Sequence, residues 1–87
     1  MIRVLIPSQL QSYTAGVTQA EVGGATIAAA LDELDQRYPG IKFRVIDEQD
    51  RVRKHMRLFV GKEAARDVWT VLKDGDELLI FGALSGG

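Results

Sequence analysis

The sequence closes on Ser85-Gly86-Gly87, and a diglycine end suits one kind of chemistry, reaction at the chain's own carboxylate. Neither glycine carries a Cβ, so such an end can lie extended in a narrow channel of another protein. Nothing on Gly87 would crowd an atom attacking or leaving the terminal carbonyl. A carboxylate is a poor electrophile, however, and needs an acyl-adenylate leaving group before a nucleophile can displace it. Gly87 is therefore the candidate reacting residue and Gly86 its companion in the channel. Chance also produces terminal glycine pairs, and this chain holds 9 glycines. The reading depends on the domain ahead of the pair.

Other chemistry has little to build on. The chain has no cysteine, hence no thiolate nucleophile, no disulfide and no thiolate metal site. His55 is the sole histidine, so neither a histidine metal site nor a Ser/His couple is expected, and no metal or bound cofactor is assigned to the chain. Gly23-Gly24 is not followed by a GxxxxGK pattern and reads as a strand-to-helix turn rather than a phosphate loop. With 11 Lys+Arg against 12 Asp+Glu the net charge is −1, which offers no electrostatic reason to expect nucleic acid or an anionic membrane.

Hydrophobic residues at 46% and charged residues at 26% are globular values. Eighty-seven residues make one small domain, expected over 1–82, with 83–87 as a flexible tail. No apolar run reaches the length of a membrane span, and the run at 1–7 is too short for a signal peptide. A soluble cytoplasmic protein is the expectation.

The elements that must position the tail follow from hydrophobic period. Ile2, Val4 and Ile6 alternate with Arg3 and Leu5, a half-buried strand ended by Pro7. Residues 17–22 read as a second strand, paired with the first through a longer loop around 11–16. Thr26 is a helix N-cap candidate, and Ile27, Ala30, Leu31, Leu34 and Tyr38 form one apolar stripe before Pro39-Gly40 stops the helix. Residues 41–46 fit a short strand or a helical turn, and 47–54 a charged loop. Met56, Leu58 and Val60 alternate as a third strand. Val68, Trp69, Val71 and Leu72 form a compact apolar segment, with Trp69 expected in the core. Lys73-Asp74-Gly75-Asp76 is a tight turn before a last strand over 77–82.

One amphipathic helix on one face of a mixed sheet of four to five strands is an α+β arrangement, the β-grasp or ubiquitin-like roll. With that order and its Gly86-Gly87 end, the chain resembles the MoaD/ThiS family of sulfur carriers. The helix over 26–38, the Asp74-Gly75-Asp76-Glu77 turn and the diglycine carry the resemblance. Ile6-Pro7, Tyr38-Pro39-Gly40 and the long loop before the third strand look nearest to the CysO-type branch, whose members feed cysteine synthesis.

The resemblance implies a reagent rather than an enzyme. An E1-like adenylyltransferase would use ATP and Mg to adenylate the Gly87 carboxylate, and a sulfur donor (a rhodanese or a cysteine desulfurase) would turn it into a thiocarboxylate. An acceptor synthase would then take the sulfur for cysteine, thiamin, molybdopterin or another metabolite. A JAMM-type protease is a further implied partner. No cation lies close to the tail in sequence, so the partner is expected to supply Arg, Lys or Mg for the negative end. A ubiquitin-like modifier, joined through Gly87 to lysines, uses the same adenylation and is the alternative. A plain β-grasp interaction subunit is a third reading.

Strand parity supplies the docking surface. Leu78 and Ile80 would face the helix, leaving Leu79 and Phe81 on the open face with Leu5 and Phe59. An exposed apolar patch beside a reacting tail is a natural partner surface, with Ser85 as a contact nearer the end; cover by 63–72 or self-association is the plainer explanation. Arg51, Arg53, Lys54, His55 and Arg57 form a basic cluster. It reads either as a solvated loop offset by Asp47, Glu48 and Asp50, or as steering toward an acidic partner.

Overall fold

The computed structural model describes residues 1–82; the expected tail, with Ser85, Gly86 and Gly87, lies outside the described residues. Five strands, β1 (Ile2–Leu5), β2 (Gln19–Val22), β3 (Met56–Val60), β4 (Glu63–Ala65) and β5 (Glu77–Gly82), form one sheet in the order β2-β1-β5-β3-β4. β1 and β5 run parallel, and every other neighbouring pair is antiparallel. This is the mixed β-grasp sheet expected from the sequence. β5 lies between β1 and β3, so the chain reaches Gly82 from the middle of the sheet.

The main helix, α1 (Ile27–Arg37), forms where the stripe requires it. The Thr26 hydroxyl accepts from the Ala29 N–H at 3.2 Å, satisfying one orphan donor of the first turn. Ile27, Ala30, Leu31 and Leu34 are buried against the inward residues Val4, Val22, Leu58, Leu78 and Ile80. Each large aliphatic side chain buried this way contributes about 1.5–3 kcal/mol relative to exposure. Residues 41–46, open between strand and helical turn, resolve as α2 (Lys42–Val45). The Asp35 carboxylate fixes its approach to α1, accepting from Gly40 N–H and Lys42 N–H at 3.0 Å each.

Three expectations change, and the strand number left open is settled. The loop after Pro7 is largely a 3₁₀ helix, Ser8–Tyr13, which buries Leu10, and the second strand begins at Gln19 rather than residue 17. β4 is the fifth strand of the expected four to five, not located in the sequence because Glu63, Ala64 and Ala65 have too little apolar contrast to show alternation. Trp69 is not in the core. A bend and turn over 66–69 lead into 70–72, which pass the start of α1, with Ala28 N–H donating to Val68 O, Ile27 N–H to Thr70 O and Leu72 N–H to Ala25 O. The turn at Val68-Trp69 gives these neighbours different surroundings, and the Asp67 carboxylate accepts from Trp69 N–H at 2.9 Å. Val68 and Leu72 turn inward, and Trp69 is left 60% exposed.

Candidate functional site

The face of the sheet opposite α1 carries the residues that parity selected. Register places Leu5 beside Leu79 across the parallel pair, and Leu79 beside Phe59 across the antiparallel pair, so the three form a row over three strands. Leu5, Leu79 and Phe59 are half-buried. Phe81 follows Leu79 on the same face of β5 and is 49% exposed. Its ring meets that of Phe59 edge to face, with centroids 5.4 Å apart and planes at 87°. Phe59, Gly61, Lys62, Leu79 and Phe81 line a shallow hollow. Farther along the face Arg3 and Glu77 form an exposed ion pair at 3.5 Å, so the patch is apolar at its centre and polar at one margin. Residues 63–72 do not cover the aromatic pair: β4 extends the sheet beyond β3, and 68–72 packs at the α1 end.

Gly82 marks the last described point before the candidate reacting residues. It pairs in register with Met56, and its carbonyl accepts from Gln9 Nε2 at 3.0 Å. A Cβ on Gly82 would stand 2.5 Å from that amide nitrogen, so a side chain here would push Gln9 aside. The 3₁₀ helix that looked like loop thus supplies a clamp on the end of β5, a role that no local pattern in its polar sequence revealed.

The basic cluster divides. Arg57 Nη1 donates to the carbonyls of Lys54 and Met56, at 3.0 and 2.8 Å, and Arg51 Nη2 donates to Gln49 Oε1 at 2.5 Å. Arg53 and His55 instead reach a cavity beside Gly82, where Arg44 from α2 joins them. Two arginines and a histidine remote in sequence from Gly82 thus gather beside it. Asp47 organises the loop: its carboxylate accepts from Gln49 N–H at 2.8 Å and Arg51 N–H at 3.0 Å. These bonds, the one from Arg51 foremost, hold the Asp47 carboxyl below its ordinary range.

The remaining candidates take structural roles. Gly24 has φ +143°, and a Cβ there would stand 2.6 Å from Ala30 N, so the glycine lets the turn close against α1. The Glu33 carboxylate accepts from Gly23 N–H, occupying a donor that a phosphate would need. Among the described residues no group of histidines, cysteines and acids could hold a metal ion. No helix among them is long and apolar enough to cross a membrane.

The family model of the ThiS family matches residues 4–87. The chain belongs to the ThiS family. Its relatives include the sulfur carrier protein CysO of Mycobacterium tuberculosis, 29% identical over 91 residues that cover 99% of this chain and 98% of that protein. Among solved structures, the crystal structure of the Amycolatopsis orientalis BexX/CysO complex includes a chain with a TM-score of 0.93 at 32% identity, covering all of both chains. The Haloferax volcanii small archaeal modifier protein 1 matches with a TM-score of 0.76 at 26% identity, covering 95% of this chain and 97% of that one. This ThiS-family chain therefore shares its fold with proteins named as sulfur carriers and with one named as a modifier.

Proposed function

We propose that the protein is a sulfur carrier whose Gly87 carboxylate is activated and converted to a thiocarboxylate. An E1-like enzyme with MgATP joins the carboxylate to the α-phosphate and releases pyrophosphate. Sulfur delivered at the sulfide level then attacks the acyl carbon and displaces AMP. The product is a stronger nucleophile than the carboxylate and hands its sulfur to an acceptor synthase. ATP and Mg act on the partner's side of this scheme.

The observation that carries the reading is ThiS-family membership over residues 4–87 joined to an aromatic pair on the open sheet face, whose exposed member, Phe81, lies on the strand that leads to the diglycine. Five residues follow Gly82 and span at most about 18 Å when extended. A partner that grips Phe59 and Phe81 must hold its nucleotide within that reach of Gly82. The apolar centre and polar margin of the patch match the anatomy of a protein interface.

The experiment is reconstitution with an E1-like adenylyltransferase, following ATP–pyrophosphate exchange. Exchange should need the chain and vanish when Gly87 is deleted, with the thermal unfolding midpoint unchanged. Exchange that survives the deletion would refute the assignment of Gly87. The likeness to small archaeal modifier protein 1 favours a second reading, conjugation of Gly87 to lysines after the same activation. Isopeptide-linked products would mark it.

A further inference from the structure

The cavity beside Gly82, about 430 Å³, is lined by Gln9, Leu10, Arg44, Arg53, His55, Met56 and Gly82. Its lining combines two chemistries. Leu10 and Met56 are buried and apolar, while Arg44, Arg53 and His55 are exposed and able to donate. No acidic residue lines it among the described residues. The ion pairs found among those residues are Met1–Asp74, Arg3–Glu77 and Lys42–Asp32, none of which involves these three groups.

The fold enforces this gathering of charge. Arg53 N–H donates to Val45 O at 2.9 Å and Arg53 Nε to Phe43 O at 2.6 Å, tying the loop to α2, which carries Arg44. With Nε engaged, the terminal guanidinium nitrogens of Arg53 remain to meet an anion. Arginine presents such nitrogens as a planar fork that matches a carboxylate. Like charges held close raise the free energy of the unbound protein and favour a negative group brought to them.

We propose that this cavity docks an acidic segment of the protein that receives the C-terminal end. One carboxylate side chain sits with Arg44 and Arg53, and an adjoining apolar side chain lies against Leu10 and Met56. Two observations favour a peptide over a nucleic acid or a free anion. The cavity floor at Leu10 and Met56, both almost fully buried, is apolar and gives a phosphate no hydrogen-bond partner, and Asp47, Glu48 and Asp50 on the same loop oppose a polyphosphate backbone. The position supports the choice of partner, because Gly82, five residues before Gly87 in the sequence, lies in the cavity wall. Naming the partner rests on the carrier reading; the site's preference for an acidic segment does not.

The test titrates the isotope-labelled full chain with a capped pentapeptide containing adjacent Asp and Leu, and with its Asn counterpart, following backbone amide resonances. The Asp peptide should give saturable shifts at Gln9, Arg53, His55 and Gly82, and the Asn peptide should bind about tenfold more weakly, the loss expected for one charge-assisted contact. Arg44→Glu should weaken the Asp peptide at least as much while the rest of the spectrum stays folded. Arg53→Lys, which keeps the charge but loses the fork, should fall between. Equal binding of both peptides, shifts confined to other amides, or the same shifts from inorganic phosphate or a single-stranded RNA oligonucleotide would overturn the proposal. A chain that binds the Asp peptide but never supports pyrophosphate exchange would sustain the site for an acidic segment and count against the carrier reading.

Discussion

Phe59 on β3 and Phe81 on β5 meet edge to face at 5.4 Å on the open side of the sheet. The two rings differ in burial: Phe59 is half-covered, whereas Phe81 is 49% exposed. That difference separates binding from stability. Phe81→Ala should weaken the complex with the activating enzyme by about 2 kcal/mol or more, the range of an interfacial aromatic anchor, with a small change in unfolding midpoint. Phe59→Ala should lower both. Calorimetric titration alongside thermal unfolding checks this, and equal stability losses from the two variants would place Phe81 in the fold rather than the interface.

The helix stripe makes a second prediction. Leu31 and Leu34 are fully buried between α1 and the sheet. Truncating either to Ala should cost about 2–5 kcal/mol, since the cavity left behind adds to the lost transfer energy. Thr26→Ala should cost less, about 0.5–2 kcal/mol, because it removes one capping bond. Denaturant unfolding with an unchanged m-value reads both, and a larger loss at Thr26 than at Leu31 would contradict the packing described.

Acid should loosen the loop that carries Arg53 and His55. Asp47 is held below its ordinary range by the backbone donors of Arg51 and Gln49. A depressed folded-state value means that the contribution is present above the unfolded value, about 3.9, and is lost as pH falls through the folded one. The Gln49 and Arg51 amide resonances should therefore move with an apparent pKa below that of a free Asp, and Asp47→Asn should abolish the titration. An Asp47 titration at or above the free value would show that these bonds do not persist in solution.

Much of this organisation can be read from the chain because it is periodic. The spacing of Ile27, Ala30, Leu31 and Leu34 specifies a helix face, and alternation in 56–60 and 77–82 specifies which aromatics lie outward. What escapes such reading is set by partners distant in sequence. Gln9 acquires its role only through Gly82, and Arg53 joins Arg44 at one cavity only through its bonds to the carbonyls of Phe43 and Val45. Trp69 misleads because clustering of apolar residues suggests burial, while the turn at 68–69 buries Val68 and leaves Trp69 exposed.

The state of the Gly87 carboxylate in protein isolated from its host tests the central claim most directly. The chain contains no cysteine, so labelling of its unmodified polypeptide by a thiol-selective alkylating reagent must report sulfur acquired afterwards. Intact-mass analysis should find a population with one oxygen replaced by sulfur, and fragmentation should place the alkyl tag on Gly87. That population should grow on incubation with MgATP, the E1-like partner and a sulfur donor, and should not form without ATP. Gly87 found only as free carboxylate or as isopeptide to lysine, under all of these conditions, would contradict the carrier function.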